Sequence, residues 1–106
     1  MKFITHNDEH VNVNGTHLQG YIKTDYSKLR AMLGEQRVVG GQLFDGHKTD
    51  WSWDIEFEDG TVATVYNWKN GPNYGAHEVT PDMIKEWHVG GHSQEALENI
   101  QNLLDS

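Results

Sequence analysis

The stretch WSWDIEFEDGTVATVYNWK, residues 51–69, decides the fold. In its first half, large apolar residues alternate with acidic ones, and a period of two is typical of a half-buried strand. The two sets are Trp53, Ile55, Phe57 and Asp54, Glu56. Asp59-Gly60 comes next, and this dipeptide favours a tight hairpin turn because both residues tolerate positive φ. Residues 61–68 are β-branched and aromatic, so they predict the return strand of a central hairpin.

The composition excludes several classes of protein. With 106 residues the chain predicts a single domain, 1–106, with one modest core. The sequence contains no cysteine, so disulfides and thiol chemistry are excluded. A net charge of −8 argues against direct nucleic-acid binding, which needs many Lys and Arg. No apolar run is long enough to span a bilayer and no signal peptide is evident, so we expect a cytoplasmic protein that does not bind a membrane.

Further elements are predicted on both sides of the central hairpin. Val11–Val13 and Thr16–Lys23 flank Asn14-Gly15 and predict a first hairpin. Two helices are predicted: one at 26–33, capped by Thr24 or Asp25 and ended by Gly34, and a C-terminal helix after the capping Ser93. The predicted strands are a short strand or frayed end at residues 2–5, a brief strand at 38–39 and a strand at 86–89. Loops are predicted at 40–48 and 69–75, and one helical turn at 81–85.

Together these elements predict an α+β domain. Its antiparallel sheet would have four to five strands, with the short helix and the C-terminal helix packed on one face. Residues 1–10 are polar, and we expect this end of the chain to be flexible.

An acidic run lies on the central hairpin. Asp54, Glu56, Glu58 and Asp59 would form a surface that meets a basic partner protein, as phosphate-mimicking proteins do. The common alternative is a solvated face that gives solubility alone.

A second group of residues could bind a small anionic ligand. Two glycines before a serine at a helix start leave free backbone N–H groups, which favour anions, and nearby aromatic rings could stack on a base. The predicted ligand contacts are Lys48, Trp68, Lys69, Tyr74, Trp87, Gly90, Gly91, His92 and Ser93. The alternatives are core packing for each aromatic residue and a tight strand-to-helix connection for the glycines.

No arrangement of residues indicates catalysis. His6 and His10 are four residues apart beside acids, a spacing that could share a metal on a helix, but nothing else there favours a helix. No spacing selects a nucleophile with its base or an acid–base pair. We therefore expect a protein that is not an enzyme and needs no metal and no cofactor.

Several segments resemble a family of small uncharacterised accessory proteins found in phage and large-virus genomes. That family's pattern is an LQGYI-like strand, a Tyr-Ser-x-Leu helix ending in Gly, an FEDGT hairpin followed by Tyr-x-x-Lys, and a WHxGG motif before a helix. The matching segments are Leu18–Ile22, Tyr26–Gly34, Trp53–Thr61, Tyr66–Lys69 and Trp87–Gly91. The resemblance covers most of the chain from Thr16 onward and implies a viral accessory protein, in the cytoplasm of the host cell.

Two functions follow as expectations. The leading one is an inhibitor of host antiviral defence, similar to anti-CRISPR proteins, which binds a host defence protein through the acidic face. The alternative is a sponge for a nucleotide second messenger, similar to anti-CBASS and anti-Thoeris proteins, with its pocket at the WHVGGHS segment. A sponge would favour a symmetric homo-oligomer, whereas a protein blocker can be a monomer.

Overall fold

The computed structural model describes residues 2–38, 51–67 and 83–105, without the side chains of residues 37 and 38. Its elements, in chain order, are β1 (Phe3–Thr5), β2 (His17–Lys23), α1 (Tyr26–Leu33), β3 (Arg37–Val38), β4 (Trp51–Phe57), β5 (Val62–Tyr66), β6 (Glu86–Gly91) and α2 (Gln94–Asp105).

The described strands form one antiparallel sheet in the order β1-β4-β5-β6-β2. The two-residue β3 pairs with the first half of β4, and β1 pairs with its second half, so these short strands share one edge. This arrangement confirms the predicted α+β class, with the sheet five strands across and two helices.

The central hairpin forms where it is predicted, as β4 and β5 joined through Asp59-Gly60. Trp53 faces Val65 and Ile55 faces Ala63 across β4 and β5. Gly60 has φ +88°, the left-handed conformation that glycine adopts without steric cost, and the N–H of Phe57 donates to the carbonyl of Thr61 at 2.8 Å.

Both helices pack on one face of the sheet, here called the near face. Leu29 and Leu33 of α1 and Ile100 of α2 join one buried cluster with the strands. The strand residues of that cluster are Ile22, Trp53, Ile55, Phe57, Ala63, Val65, Trp87 and Val89. Lys28 Nζ donates to the carbonyl of Leu104 at 2.9 Å, which joins α1 directly to the end of α2.

The predicted helix ends are confirmed. Asp25 is the N-cap of α1, and its side chain accepts a hydrogen bond from the N–H of Lys28 at 2.9 Å. Gly34 ends α1 with φ +87°. Gln94 begins α2, so Ser93 stands directly before it, as expected.

Two predictions near the ends of β2 and β6 are wrong. Residues 11–13 form no strand, and Val11 is buried; β2 pairs with β6 instead. Gly90 and Gly91 belong to β6 and not to a connecting loop. Residues 3–5 of the expected flexible end form β1. The predicted loops at 40–48 and 69–75 lie outside the described residues, and the helical turn at 81–85 lies partly outside them.

Candidate functional site

The face of the sheet opposite α1 and α2 is the surface on which the candidate residues converge. We call it the far face. Strand alternation gives it every second residue of β4, β5 and β6. From β2 it has Leu18, Tyr21 and Lys23, because the register of β2 shifts between Leu18 and Gly20. In cross-strand register, Ser52, Tyr66, His88 and Tyr21 form one row and Asp54, Thr64, Gly90 and Leu18 form the next.

The four acids of the predicted protein-binding surface lie in different environments. Glu58 and Asp59 are exposed in the β4–β5 turn, and Glu56 is half-buried beside them. Asp54 lies on the far face but is only 8% exposed. Because a buried carboxylate is not accessible to another protein, Asp54 has to be removed from the predicted contact surface.

A second element adds an acid to the turn. The first turn of α2 places Glu95 beside Asp59, and both side chains line a depression of about 220 Å³ with His92 and Ser93. We call the set Glu56, Glu58, Asp59 and Glu95 the acidic end. Sequence reasoning missed Glu95 as a member because its proximity depends on how α2 packs against β5.

Asp59 is held in place and ionised. The N–H of Thr61 donates to Asp59 Oδ1 at 2.9 Å, and Asn99 Nδ2 lies 3.4 Å from Asp59 Oδ2. The hydrogen bonds from the backbone and side chain of Thr61 lower the pKa of Asp59 below its ordinary value. The carboxylate at the tip of the hairpin is therefore charged at neutral pH, in a defined orientation.

The residues of the predicted anion site are not arranged to bind an anion. Trp87 is fully buried on the near face, where its ring centroid lies 5.6 Å from that of Trp53. Gly90 and Gly91 lie inside β6, paired with β2 on one side and β5 on the other. A Cβ at Gly91 would lie 2.3 Å from the Cβ of Ala96, so this glycine permits the close approach of α2.

The start of α2 is surrounded by negative charge. Ser93 and His92 are exposed, but Asp59 and Glu95 line the same depression. His92 Nε2 lies 3.0 Å from the carbonyl of Asn14, so this ring contacts the Asn14-Gly15 turn that precedes β2. Phosphate groups at this helix start would meet two carboxylates, which opposes the attraction of the helix dipole. The remaining predicted contacts, Lys48, Trp68, Lys69 and Tyr74, lie outside the described residues.

The far face also carries a row of aromatic rings that the sequence reasoning did not identify as a unit. The ring centroids of Tyr66 and His88 are 5.3 Å apart with an interplanar angle of 25°, and Tyr21 meets His88 edge-on at 4.9 Å. We call Tyr21, His88 and Tyr66 the aromatic row. The alternation within each strand was readable, but the pairing of β6 with both β2 and β5 was not.

His88 has an electrostatically unusual position within this row. Burial lowers the pKa of His88 below its ordinary value, and the neighbouring Glu86 carboxylate offsets part of that effect. In the part of the chain that the structure describes, His88 Nδ1 is buried and has no hydrogen-bond partner. The imidazole is therefore neutral at neutral pH and acts as an aromatic ring.

Comparisons with protein-family models, with curated proteins and with solved structures found no match to this chain. Function is therefore inferred from its own geometry. Residues 2–38, 51–67 and 83–105 contain no group of three or more His, Asp or Glu side chains suited to hold a metal ion. None of the helices in those ranges is long and apolar enough to cross a membrane.

Proposed function

We propose that this protein is a non-catalytic binding protein of phage type, which inhibits a host defence protein by docking its acidic end on a basic surface. The observation that carries this proposal is that Asp59 and Glu95 line one depression at the end of the hairpin, with the exposed Glu58 next to Asp59 in the same turn. Among the described residues, the salt bridge joins Arg30 to Glu35, away from the acidic end, and Lys2 is the cation that lines a depression with Glu56 and Glu58.

The electrostatics of the whole chain support the same kind of partner. A net charge of −8 raises the rate of encounter with a basic surface and disfavours nucleic acid itself. Host proteins that bind nucleic acid present such basic surfaces, so an acidic competitor would block them. The viral origin in this proposal comes from the sequence resemblance described above.

A phage plating assay tests the proposal. Bacterial strains that each carry one defence system would express the wild-type protein or the double charge reversal Glu56→Lys with Glu58→Lys. We expect the wild-type protein to restore phage plating in one strain and the double reversal to lose that effect, because it places two cations at the acidic end. Equal plating with both proteins would contradict the proposal.

A matched variant controls for net charge. Glu9→Lys with Asp105→Lys changes the charge by the same amount at exposed positions away from the β4–β5 turn. This control should inhibit defence as the wild-type protein does. Melting temperatures of all three proteins should agree closely, which would show that the reversals act on binding and not on folding.

The nucleotide sponge remains a prediction with less support. Its pocket was expected at the WHVGGHS segment, where Trp87 is buried, the two glycines are inside a strand, and the helix start is acidic. No described cation lines the depression at the start of α2.

A further inference from the structure

We propose that the aromatic row binds an arginine side chain of the basic partner. The acidic end would attract the partner, and the far face would recognise one of its side chains. This inference rests on the proposed function, because it assumes that the partner is basic. It goes further by naming the residue type that is recognised and the place where it docks.

The accessible part of the row is Tyr21. Its side chain is 52% exposed, although most large apolar and aromatic residues of the described chain are buried. Leu18, three residues earlier on the same edge strand, is 48% exposed. Tyrosine is among the residues that contribute most to protein interfaces, because a rigid ring buries much area at little entropic cost.

The spacing and orientation of the three rings are set by the fold of the protein itself. Tyr21, His88 and Tyr66 sit directly opposite one another on β2, β6 and β5, so the backbone pairing fixes their spacing. The edge-on and stacked contacts between the rings add to that order. A ligand that stacks on Tyr21 therefore meets a ring that is already oriented.

The carboxylate next to the accessible ring is Glu86. It is exposed on β6 two residues before His88, diagonal to Tyr21 on β2, and Lys23 of β2 faces it. At the other end of the row, Arg37 of β3 pairs with Ser52. The chain carries a net charge of −8, so it repels phosphates even where a nucleic-acid base could stack on these rings, and a positively charged partner is favoured.

Arginine fits this surface better than lysine. A guanidinium is planar, so it stacks on a tyrosine ring, and its fork of N–H groups binds a carboxylate with two parallel hydrogen bonds. Tyr21 and Glu86 supply the ring and the carboxylate on neighbouring strands. A lysine ammonium has neither the flat face nor the fork, so it gains the charge attraction alone.

The test is a titration of the pure protein with two synthetic peptides. One peptide alternates glycine and arginine, the other glycine and lysine, and the length and charge of the two are equal. Affinity would be measured by calorimetry, and the binding site by the NMR signals of the Tyr21 and His88 rings. We expect the arginine peptide to bind more tightly and to shift both ring signals.

Variants locate the effect. Tyr21→Leu keeps an apolar side chain but removes the ring, and it should weaken the arginine peptide about two- to fivefold, the range for an exposed cation–π contact. Tyr21→Phe keeps the ring and should bind as the wild-type protein does. Glu86→Gln should weaken binding, whereas Glu98→Gln, the same charge change on exposed α2, should not.

Three results would overturn the inference. They are equal affinity for the two peptides, no change on Tyr21→Leu, and tighter binding of a single-stranded oligonucleotide that depends on Tyr21.

The plating assay separates this inference from the proposed function. If Tyr21→Leu inhibits defence at the same expression level as the wild-type protein needs, while the reversal at Glu56 and Glu58 does not inhibit, the acidic end acts alone and the arginine site is wrong. If the arginine peptide binds through Tyr21 but the wild-type protein restores plating in no strain, the site stands and the proposed function fails.

Discussion

The near and far faces of the sheet are made by the same strands, yet they differ in almost every physical property. On the near face, Trp53, Ile55, Val65 and Val89 are fully buried against two helices. On the far face, Tyr66 and His88 are half-buried, and Tyr21 is half exposed at the edge. The near face is an apolar interior, whereas the far face mixes aromatic rings with carboxylates.

This difference separates the source of stability from the source of recognition. Apolar burial stabilises the fold in proportion to the area removed from water, and that area lies mainly on the near face. A mixed aromatic and acidic surface contributes less to folding and more to specific binding. Changes on the near face should therefore lower the stability, and changes on the accessible far face should lower the affinity for a partner.

The largest expected effect is the loss of a near-face tryptophan. Trp53 is fully buried, and its Nε1 donates to the carbonyl of Gly34 at 2.9 Å. Trp53→Ala should therefore lower the free energy of unfolding by about 3–5 kcal/mol, as measured by urea denaturation. Tyr21→Ala on the far face should cost about 1 kcal/mol, because half of that side chain is already in water. Equal losses would contradict the division between the faces.

The neighbouring glycines of β6 provide a second test of the same contrast. At Gly91 an added Cβ would meet Ala96 Cβ at 2.3 Å and the carbonyl of Val62 at 3.0 Å, and neither can rotate away. Gly91→Ala should cost about 1–3 kcal/mol of stability through overpacking. At Gly90 the closest atom is Thr64 Oγ1 at 2.6 Å, which can turn about χ1. Gly90→Ala should therefore cost less, and a larger loss at Gly90 would contradict this explanation.

A pH titration of stability tests the environment of His88. Its folded-state pKa lies below the ordinary 6.5 because burial disfavours the charged ring. Below pH 6.5 the unfolded chain binds a proton that the folded chain resists, so the stability contribution is complete above 6.5 and is lost as the pH falls through the folded-state pKa. His88→Phe keeps a ring without titration, so its stability should fall less than that of the wild-type protein between pH 7 and acid pH. Parallel curves would show that His88 is well solvated.

The smallest expected effect on stability belongs to the acidic end. Glu58 is exposed, and its backbone N–H donates to the carbonyl of Lys2 at 2.9 Å, a bond that the substitution of the side chain keeps. Glu58→Gln should change the free energy of unfolding by less than about 0.5 kcal/mol, the usual range for surface substitutions, in the same urea experiment. A loss of more than about 1 kcal/mol would mean that this carboxylate belongs to the fold, and its place in a binding surface would then be doubtful.

The local part of the fold could be predicted from the sequence because its signals are local. The alternation in residues 51–57, the Asp59-Gly60 turn, the Asp25 cap and the Gly34 end all depend on residues a few positions apart. The partner of β2 could not be predicted in this way. Asn14-Gly15 does form a turn, with Gly15 at φ +82°, but the strand expected before it is absent, and β2 pairs with a strand some seventy residues later.

The candidate site was predicted less well, because it depends on such distant pairings. The exposed acids Glu58 and Asp59 were found from composition and turn chemistry. The burial of Asp54 and Trp87 was missed, since alternation assigns a face but not the depth of a residue on that face. The aromatic row was missed because its three members come from strands that are far apart in the sequence.

A thermal-shift screen tests most directly whether this protein binds a basic partner or an anionic nucleotide. The pure protein would be melted alone and with cyclic di- and trinucleotides and ADP-ribose derivatives. Because the acidic end and the far-face carboxylates repel phosphates, we expect the melting temperature to stay unchanged with every nucleotide. A ligand at a hundred times its Kd would stabilise the fold by about 2.7 kcal/mol, a rise of several degrees for a domain of this size. Such a rise with any one nucleotide would contradict the account and make the sponge the leading function.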